Sequence, residues 1–344
     1  MKILSFIVPS YNSAKFLDKC IPSFLNEAVL DKLDIIIVND GSTDETPVVA
    51  QKYCDAHPDS IRLINQENKG HGGALNTGCA VAVGKYLKVI DADDWVETQN
   101  LPEFVAKLEK SDADVVLTHH YTIDITTGEV KKWKNYPKKF DISYNFEQIM
   151  ASWKNFERSL TFHGITYNTA FYHKNGIALS EHVFFEDHEF ATMPCCHAAS
   201  IMPMDLFIYD YRIGDVEQSV SNQNQLKRIS HTQTVLERFL SEYARLELPE
   251  NSGGREYFCM KAQGLLLSYL TTAMLVEPDK KKGRLLAAQM MARFRTAMPR
   301  AYELAKKQYL AYRAMNRLHI SKQTFDQVLH SRIYSKFRRK HDFD

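Results

Sequence analysis

The chain has 344 residues, enough for one large domain with an appendage or for two of ordinary size. Its 43 lysines and arginines nearly balance its 42 aspartates and glutamates, so no overall field attracts nucleic acid and any ionic ligand must be recruited locally. The six cysteines, Cys20, Cys54, Cys79, Cys195, Cys196 and Cys259, form no CxxC pair, which argues against a zinc ribbon or disulfide scaffold and reads as buried thiols in a reducing compartment.

From the N-terminus, Met1-Lys2 runs straight into a strand-like segment bounded by Pro9, with no small-residue cleavage site. No window is read as approaching the roughly 20 apolar residues of a spanning helix. The expectation is a cytoplasmic protein whose membrane contact, if any, is peripheral.

Apolar runs then alternate with amphipathic segments: Ile3–Val8 and Ala14–Val29, Leu33–Val38 and Glu45–Ala56, Ile61–Ile64 and Gly73–Val83, Tyr86–Ile90 and Leu101–Lys110, then Val115–Thr118. Short β-branched runs separated by segments of helical period predict strand–helix units around a mainly parallel open α/β sheet. A hairpin follows over Ile123–Val130 with its turn at Thr127-Gly128. Alternation is irregular to about Tyr211, the stretch in which an acceptor site would be built. From about Asn222 the spacing is helical, over Leu226–Leu246, Tyr257–Leu275, Leu285–Met298, Tyr302–Asn316 and Thr324–Phe337. Pro249–Gly254 and Glu277–Lys280 read as inter-helix loops. The expected organisation is an α/β domain over 1–220 and a helical region over 221–344.

Ligands of an open parallel sheet sit beyond the carboxyl ends of its strands. Here those ends carry Pro9-Ser-Tyr11-Asn12, then Asn39-Asp40-Gly41-Ser42-Thr43-Asp44, then Asn68-Lys-Gly70-His71-Gly72-Gly73, and finally Asp91-Ala92-Asp93-Asp94. Three carboxylates leaving a buried strand need a compensating charge, and a divalent cation is the natural one. Together with an aromatic face and a glycine-rich approach, that inventory fits a nucleoside diphosphate. The alternatives stay open: Asp94 also suits a helix cap, Asp40 a turn residue before Gly41, and Pro9 and Tyr11 simple strand ends. The glycines lack GxGxxG spacing and follow the third strand, so the dinucleotide fingerprint is not met. They more simply allow close backbone approach, and His71 reads equally as surface residue or contact.

These four motifs, in this order, resemble family-2 glycosyltransferases of the GT-A fold, in Ile7–Asn12, Val38–Asp44, Asn68–Asn76 and Asp91–Asp94. Phe185-Glu186-Asp187 and Tyr211-Arg212 with Gln218-Ser219 extend the resemblance to about residue 221, leaving the helical tail outside it. The resemblance implies a nucleotide-sugar site at Pro9, Tyr11, Asn12, Asp40, Gly41, Asn68, Gly72, Gly73, Asp91, Ala92, Asp93, His163 and Arg212. In it Pro9 and Tyr11 border the base, Asp40 accepts a hydrogen bond from it, and Asp91 and Asp93 serve ribose and metal, Mn²⁺ or Mg²⁺. A carboxylate satisfies the uracil N–H, which makes UDP the expected carrier. It further implies that Asp187 is the general base of an inverting transfer, with Glu186 supporting it or orienting an acceptor hydroxyl.

Glu186 and Asp187 also suit the opening of a helix running to Ala199, where negative charge suits the dipole, a placement compatible with catalysis. His163 lies near acceptor or donor sugar in this reading, and Arg212 with Gln218 and Ser219 closes over the diphosphate. Lys131-Lys-Trp-Lys134 with Lys138-Lys139, and Arg332–Lys340 with Tyr334 and Phe337, suit either solvated faces or anionic headgroups. If the acceptor is lipid-linked, these patches are expected to meet the inner membrane face. The expected partners are a UDP-sugar and a glycan acceptor, with a homo-oligomer compatible. The rival functions are a non-catalytic nucleotide-sugar binding module and a sugar nucleotidyltransferase; the latter would need a basic glycine-rich loop after the first strand, which Pro9–Ala14 does not provide.

Overall fold

The computed structural model describes residues 1–214 and 222–329. Gln218, Ser219 and the Arg332–Lys340 stretch lie outside the described residues. The first strands are β1 (Leu4–Ser10), β2 (Leu33–Asp40), β3 (Ile61–Gln66), β4 (Tyr86–Val89) and β5 (Trp95–Val96). Between them stand α1 (Ala14–Ser23), α2 (Thr46–Ala56) and α3 (Gly70–Ala80), followed by α4 (Leu101–Lys110). The chain continues through β6 (Val115–Asp124), β7 (Val130–Trp133), α5 (Phe146–Ala151), β8 (Ile165–Asn168), α6 (Thr169–Asn175), α7 (Asp187–Thr192) and β9 (Ile201–Ile213). Among the described residues six α-helices follow: α8 (Asn222–Lys227), α9 (Ile229–Arg245), α10 (Gly253–Thr271), α11 (Lys280–Ala297), α12 (Pro299–Arg317) and α13 (Lys322–Leu329).

Among the described residues the strands form one nine-stranded sheet in the order β3-β2-β1-β4-β8-β6-β9-β5, with β7 on β6. β1 and β2 are buried along their whole length, which is why both read as unbroken apolar runs: central parallel strands are covered on both faces. Among the polar residues within these strands, Asp34 is held by two bonds from Arg62, of 2.9 and 3.0 Å, and one of 2.6 Å from the Ser5 hydroxyl. β3, β2, β1 and β4 are mutually parallel, so their carboxyl ends share one edge. Because β2 lies on one side of β1 and β4 on the other, that edge holds a topological switch point.

Parallel order stops there. β8 runs antiparallel to β4 and β6, β6 is parallel to β9, and β5 and β7 pair antiparallel to their neighbours. The mainly parallel expectation thus describes the first four strands, and a mixed extension follows, since β6 enters beside β8 rather than beside β4. The strand expected over Val115–Thr118 runs on to Asp124 and forms the expected hairpin, with Ile123 opposite Val130. The helix expected over Ala14–Val29 ends at Ser23, one residue past Pro22. The helix expected to reach Ala199 stops at Thr192, just before Pro194, and a 3₁₀ turn at Cys195–His197 follows.

The chain divides into two compact units, Met1–Gln218 with Glu247–Phe258, and Ser219–Leu246 with Cys259–Asp344. The 247–258 segment belongs to the first unit because the Tyr257 hydroxyl donates to the Ala191 carbonyl at 2.7 Å and Gly253 N to Glu147 Oε1 at 3.1 Å. Within the second unit, buried Asn316 donates to the Met274 carbonyl at 2.7 Å and accepts from Arg284 at 2.6 Å, joining α12, α11 and the π-helical turn Thr272–Val276. One correction concerns apolar length. Among the described residues, the helix over Gly253–Val276 is long and apolar enough, by length and composition, to cross a membrane. Tyr257, Phe258, Ala262, Leu265, Leu266 and Leu270 along it are buried.

Candidate active site

The carboxyl ends of β1 and β2 build a fixed seat. Asp40 is 2% exposed. Its Oδ1 accepts from Gln66 Nε2 at 2.7 Å and Lys69 N at 2.8 Å, and its carbonyl accepts from Asn68 Nδ2 at 2.9 Å. Oδ2 carries none of these bonds. Gly41 follows at φ +71°, and a Cβ there would stand 2.8 Å from Asn68 N, so the turn requires glycine. Asn12, at φ 49°, joins the two loops: its side chain accepts from Thr43 N at 2.8 Å and its N donates to Ser42 Oγ at 3.0 Å. Asp44 adds a bond from Ala14 N at 3.1 Å. Pro9 is buried, while Tyr11, 52% exposed, flanks the opening.

The acidic run leaves β4 as a tight turn, with Asp94 N bonded to the Asp91 carbonyl at 3.0 Å and Ala92 buried beneath it. Asp94 does not cap a helix, since the short strand β5 follows it. It is 1% exposed, and accepts from the Tyr209 hydroxyl at 2.5 Å and from Arg212 N at 2.7 Å. The same Tyr209 oxygen accepts from Asp91 N at 3.2 Å. Asp94 therefore fastens the turn to β9 and leaves Asp91 and Asp93 to face outward, half-buried. Burial and the neighbouring Asp91 push Asp93 up to about 6. Arg212 reaches it from β9, Nη1 to Oδ2 at 3.8 Å, with its guanidinium over the Phe16 ring.

Two crowded carboxylates fit a divalent ion, which would relieve their repulsion. Among the described residues no group of three or more His, Cys, Asp or Glu side chains is arranged to hold one. Asp91 and Asp93 would thus be the protein oxygens available to a hard ion such as Mg²⁺ or Mn²⁺.

The second acidic motif opens α7 opposite this turn, and His71, in the first turn of α3, spans the gap. His71 Nδ1 lies 2.5 Å from Glu186 Oε1 and Nε2 lies 2.8 Å from Asp91 Oδ1. Burial opposes the charged ring, but Asp91 and Glu186 outweigh it and hold His71 well above its ordinary range. Asp187 is half-buried at the start of α7, and both it and Asp91 act electrostatically on His163 and Tyr211. His163 packs against Tyr209 and Tyr211 with ring centroids 4.8 and 4.3 Å away. Burial there brings it down to about 4, so it is neutral at pH 7.

Of the residues singled out in the sequence, Asp40, Gly41, Asn12 and Asn68 meet at one end, and Asp91, Asp93, Arg212, His163, Glu186 and Asp187 at the other. Gly72 and Gly73 sit buried inside α3, where Gly72 lies against the Ser180 carbonyl and Gly73 against Lys69. Three contributors escaped sequence reasoning. The His71 bridge and the Tyr209 relay join partners more than 100 residues apart for Glu186 and Tyr209, which no local pattern displays. Lys88 had a visible signal, a lysine within the apolar run Tyr86–Ile90. It is fully buried and donates to the His163 carbonyl at 2.7 Å and the Ile165 carbonyl at 3.2 Å, seating the His163 loop.

Comparison with known proteins identifies the family and the fold. The model of the family described as glycosyl transferase family 2 matches residues 5–184. The glycosyltransferase GlyG of Streptococcus pneumoniae is 34% identical over 131 residues, 37% of this chain and 42% of GlyG, so the match spans less than half of that relative. Among solved structures, S. aureus TarS 1–349 in complex with UDP-GlcNAc is similar with a TM-score of 0.63 and 17% identity, over 93% of each chain. The mannosyltransferase PcManGT from Pyrobaculum calidifontis, in complex with GDP-Man and Mn²⁺, gives a TM-score of 0.53 at 19% identity, over 99% of this chain and 88% of that one. At such identities the structural likeness concerns the fold, an α/β GT-A architecture followed by C-terminal helices. With the family model covering more than half of its length and the motif residues gathered at the switch point of the sheet, this chain belongs to glycosyltransferase family 2.

Proposed function

We propose that this chain is a metal-dependent, inverting glycosyltransferase that moves a hexose or N-acetylhexosamine from a UDP-sugar to a hydroxyl of a glycan acceptor. The observation that carries the reading is the convergence on one strand edge of an anchored carboxylate at Asp40, the Asp91–Asp93 pair, and Glu186-Asp187 joined to Asp91 through His71. Asp40 Oδ2 accepts from the uracil N–H and leaves cytosine, which lacks that donor, unfavoured. Binding of UDP-GlcNAc by TarS, similar in fold, supports a UDP carrier.

In the transfer, the acceptor oxygen forms its bond to the anomeric carbon as the bond from that carbon to the diphosphate oxygen breaks. Asp187 takes the proton from the attacking hydroxyl, and the electron pair leaves with UDP. Bound at Asp91 and Asp93, the divalent cation supplies Lewis-acid stabilisation of the departing diphosphate. Arg212 adds fixed positive charge beside it, and neutral His163 offers a ring edge to the sugar. The cytoplasm is the compartment proposed for it, in keeping with its free thiols.

The test is a thermal-shift panel of UDP, GDP, CDP and TDP with and without Mn²⁺, on wild type and Asp93→Ala. UDP with Mn²⁺ is expected to stabilise the wild type and lose that effect in the variant. Asp187→Asn should bind UDP-sugar normally and lose turnover by about 10²- to 10⁴-fold. No selective response to UDP would overturn the donor assignment and leave a binding module as the better reading.

A further inference from the structure

We propose that His71 is a positioning residue for sugar selection, holding Glu186 so that its free carboxylate oxygen receives a hydroxyl of the transferred sugar; this rests on the UDP-sugar reading above. Glu186 is 4% exposed. Its Oε1 is engaged by His71, while Oε2 is buried without a hydrogen-bond partner. A buried carboxylate oxygen that the fold itself leaves unpaired calls for a donor from outside the fold, which a bound ligand can supply.

The surroundings keep Glu186 from turning elsewhere. α3 presses on its stem, since a Cβ on Gly72 would lie 3.0 Å from Glu186 Cγ. Phe185, immediately before it, holds φ +76°, a left-handed conformation that a bulky aromatic adopts only under constraint. The start of this loop is clamped by Glu189, which accepts from Ser180 N at 2.8 Å and Ser180 Oγ at 2.7 Å, and His182 N donates to the Lys69 carbonyl at 2.9 Å. Strain of this kind concentrates where geometry serves a ligand.

Position names the ligand's chemistry. Through His71, Glu186 is two hydrogen bonds from Asp91 at the diphosphate end. Along the chain it adjoins Asp187 at the acceptor end. Between a leaving diphosphate and an attacking hydroxyl lies the sugar ring, whose hydroxyls are donors, and an ionised carboxylate only accepts. His71 thus sets the angle at which Glu186 meets the ring.

The experiment uses the full chain and isothermal calorimetry with UDP, with the UDP-sugar that binds best, and with its monodeoxy analogues. Wild type is expected to prefer the parent sugar over one analogue by about 10- to 100-fold, the worth of one charge-assisted hydrogen bond. Glu186→Ala and His71→Phe should each collapse that ratio to below about threefold, and His71→Gln, which keeps a side-chain amide, should retain part of it. Because the ratio compares two ligands on one protein, general damage to the nucleotide seat cancels. A ratio unchanged in His71→Phe, or a wild type that binds UDP yet ignores every hydroxyl, overturns the inference alone. A wild type that binds no UDP overturns it together with the donor assignment.

Discussion

Lys88 shows what a buried charge costs when it donates to two backbone carbonyls and, among the described residues, meets no carboxylate in a salt bridge. Burial brings its ammonium down to about 7 in the folded chain, against about 10.4 when unfolded. Between those values the unfolded state binds more protons than the native state, so stability rises with pH across that window. Below about pH 7 both states carry the proton, and the penalty is at its fullest. Replacing Lys88 with Met removes the titration. The melting temperature of Lys88→Met should therefore vary less between pH 7 and 10 than that of wild type, as a denaturation series over pH would read. At pH 10 the variant should be the less stable, by about 1–3 kcal/mol, because the His163 and Ile165 carbonyls lose their donor. The lysine was legible in the sequence as a break in an apolar run. Its partners were not, since they lie 75 and 77 residues further on and are backbone atoms.

At the scale of elements, α3 is shaped by what presses on it. Gly70–Ala80 has little amphipathic pattern, yet Gly72, Gly73, Ala74, Leu75, Gly78 and Cys79 are buried. Small residues let it lie between β1 and β2 on one side, where Gly78 meets Ile7 and Val38, and the Ser180–Glu186 loop on the other. Gly72→Ala tests this, because its Cβ would strike the Ser180 carbonyl, which is backbone and yields little. The expected loss is about 1–3 kcal/mol in a urea titration, with the shape of the transition unchanged. Strands were the most legible elements, since apolar runs buried on both faces have few alternatives. Their pairing beyond β4 was not, for antiparallel insertion of β8 between β4 and β6 depends on sequence-distant contacts such as Leu87 with Tyr167. α7 falls short of Ala199 because Pro194 interrupts the helix that its acidic start opens, and the interruption is less evident in the sequence than the start.

Across the whole molecule, all six cysteines are buried and none is in a disulfide, and they are spread over both compact units. Burial raises the thiols of Cys20, Cys54, Cys79 and Cys196, and a protonated, inaccessible thiol is a poor nucleophile. The native chain should give almost no rapid reaction with a thiol-specific chromogenic disulfide, and six equivalents once denatured. Rapid labelling of one thiol at native pH would show a unit opening locally. The near balance of charge was legible from composition and leaves binding to local clusters. Which clusters those are follows from the switch point between β1 and β4, where sequence-distant loops become neighbours.

The cross-tied loops at Asn12, Ser42, Thr43, Ala14 and Asp44 bear on the timing of turnover. On the donor reading proposed above, a seat already stitched together has little ordering entropy left to lose when a base arrives, so capture of the donor would be governed by encounter rather than by refolding of the rim. Slow steps in a catalytic cycle would then belong to the sugar end, where Phe185 and the loop before it are held under constraint, and the empty carrier would leave by the same ready-made door through which it came.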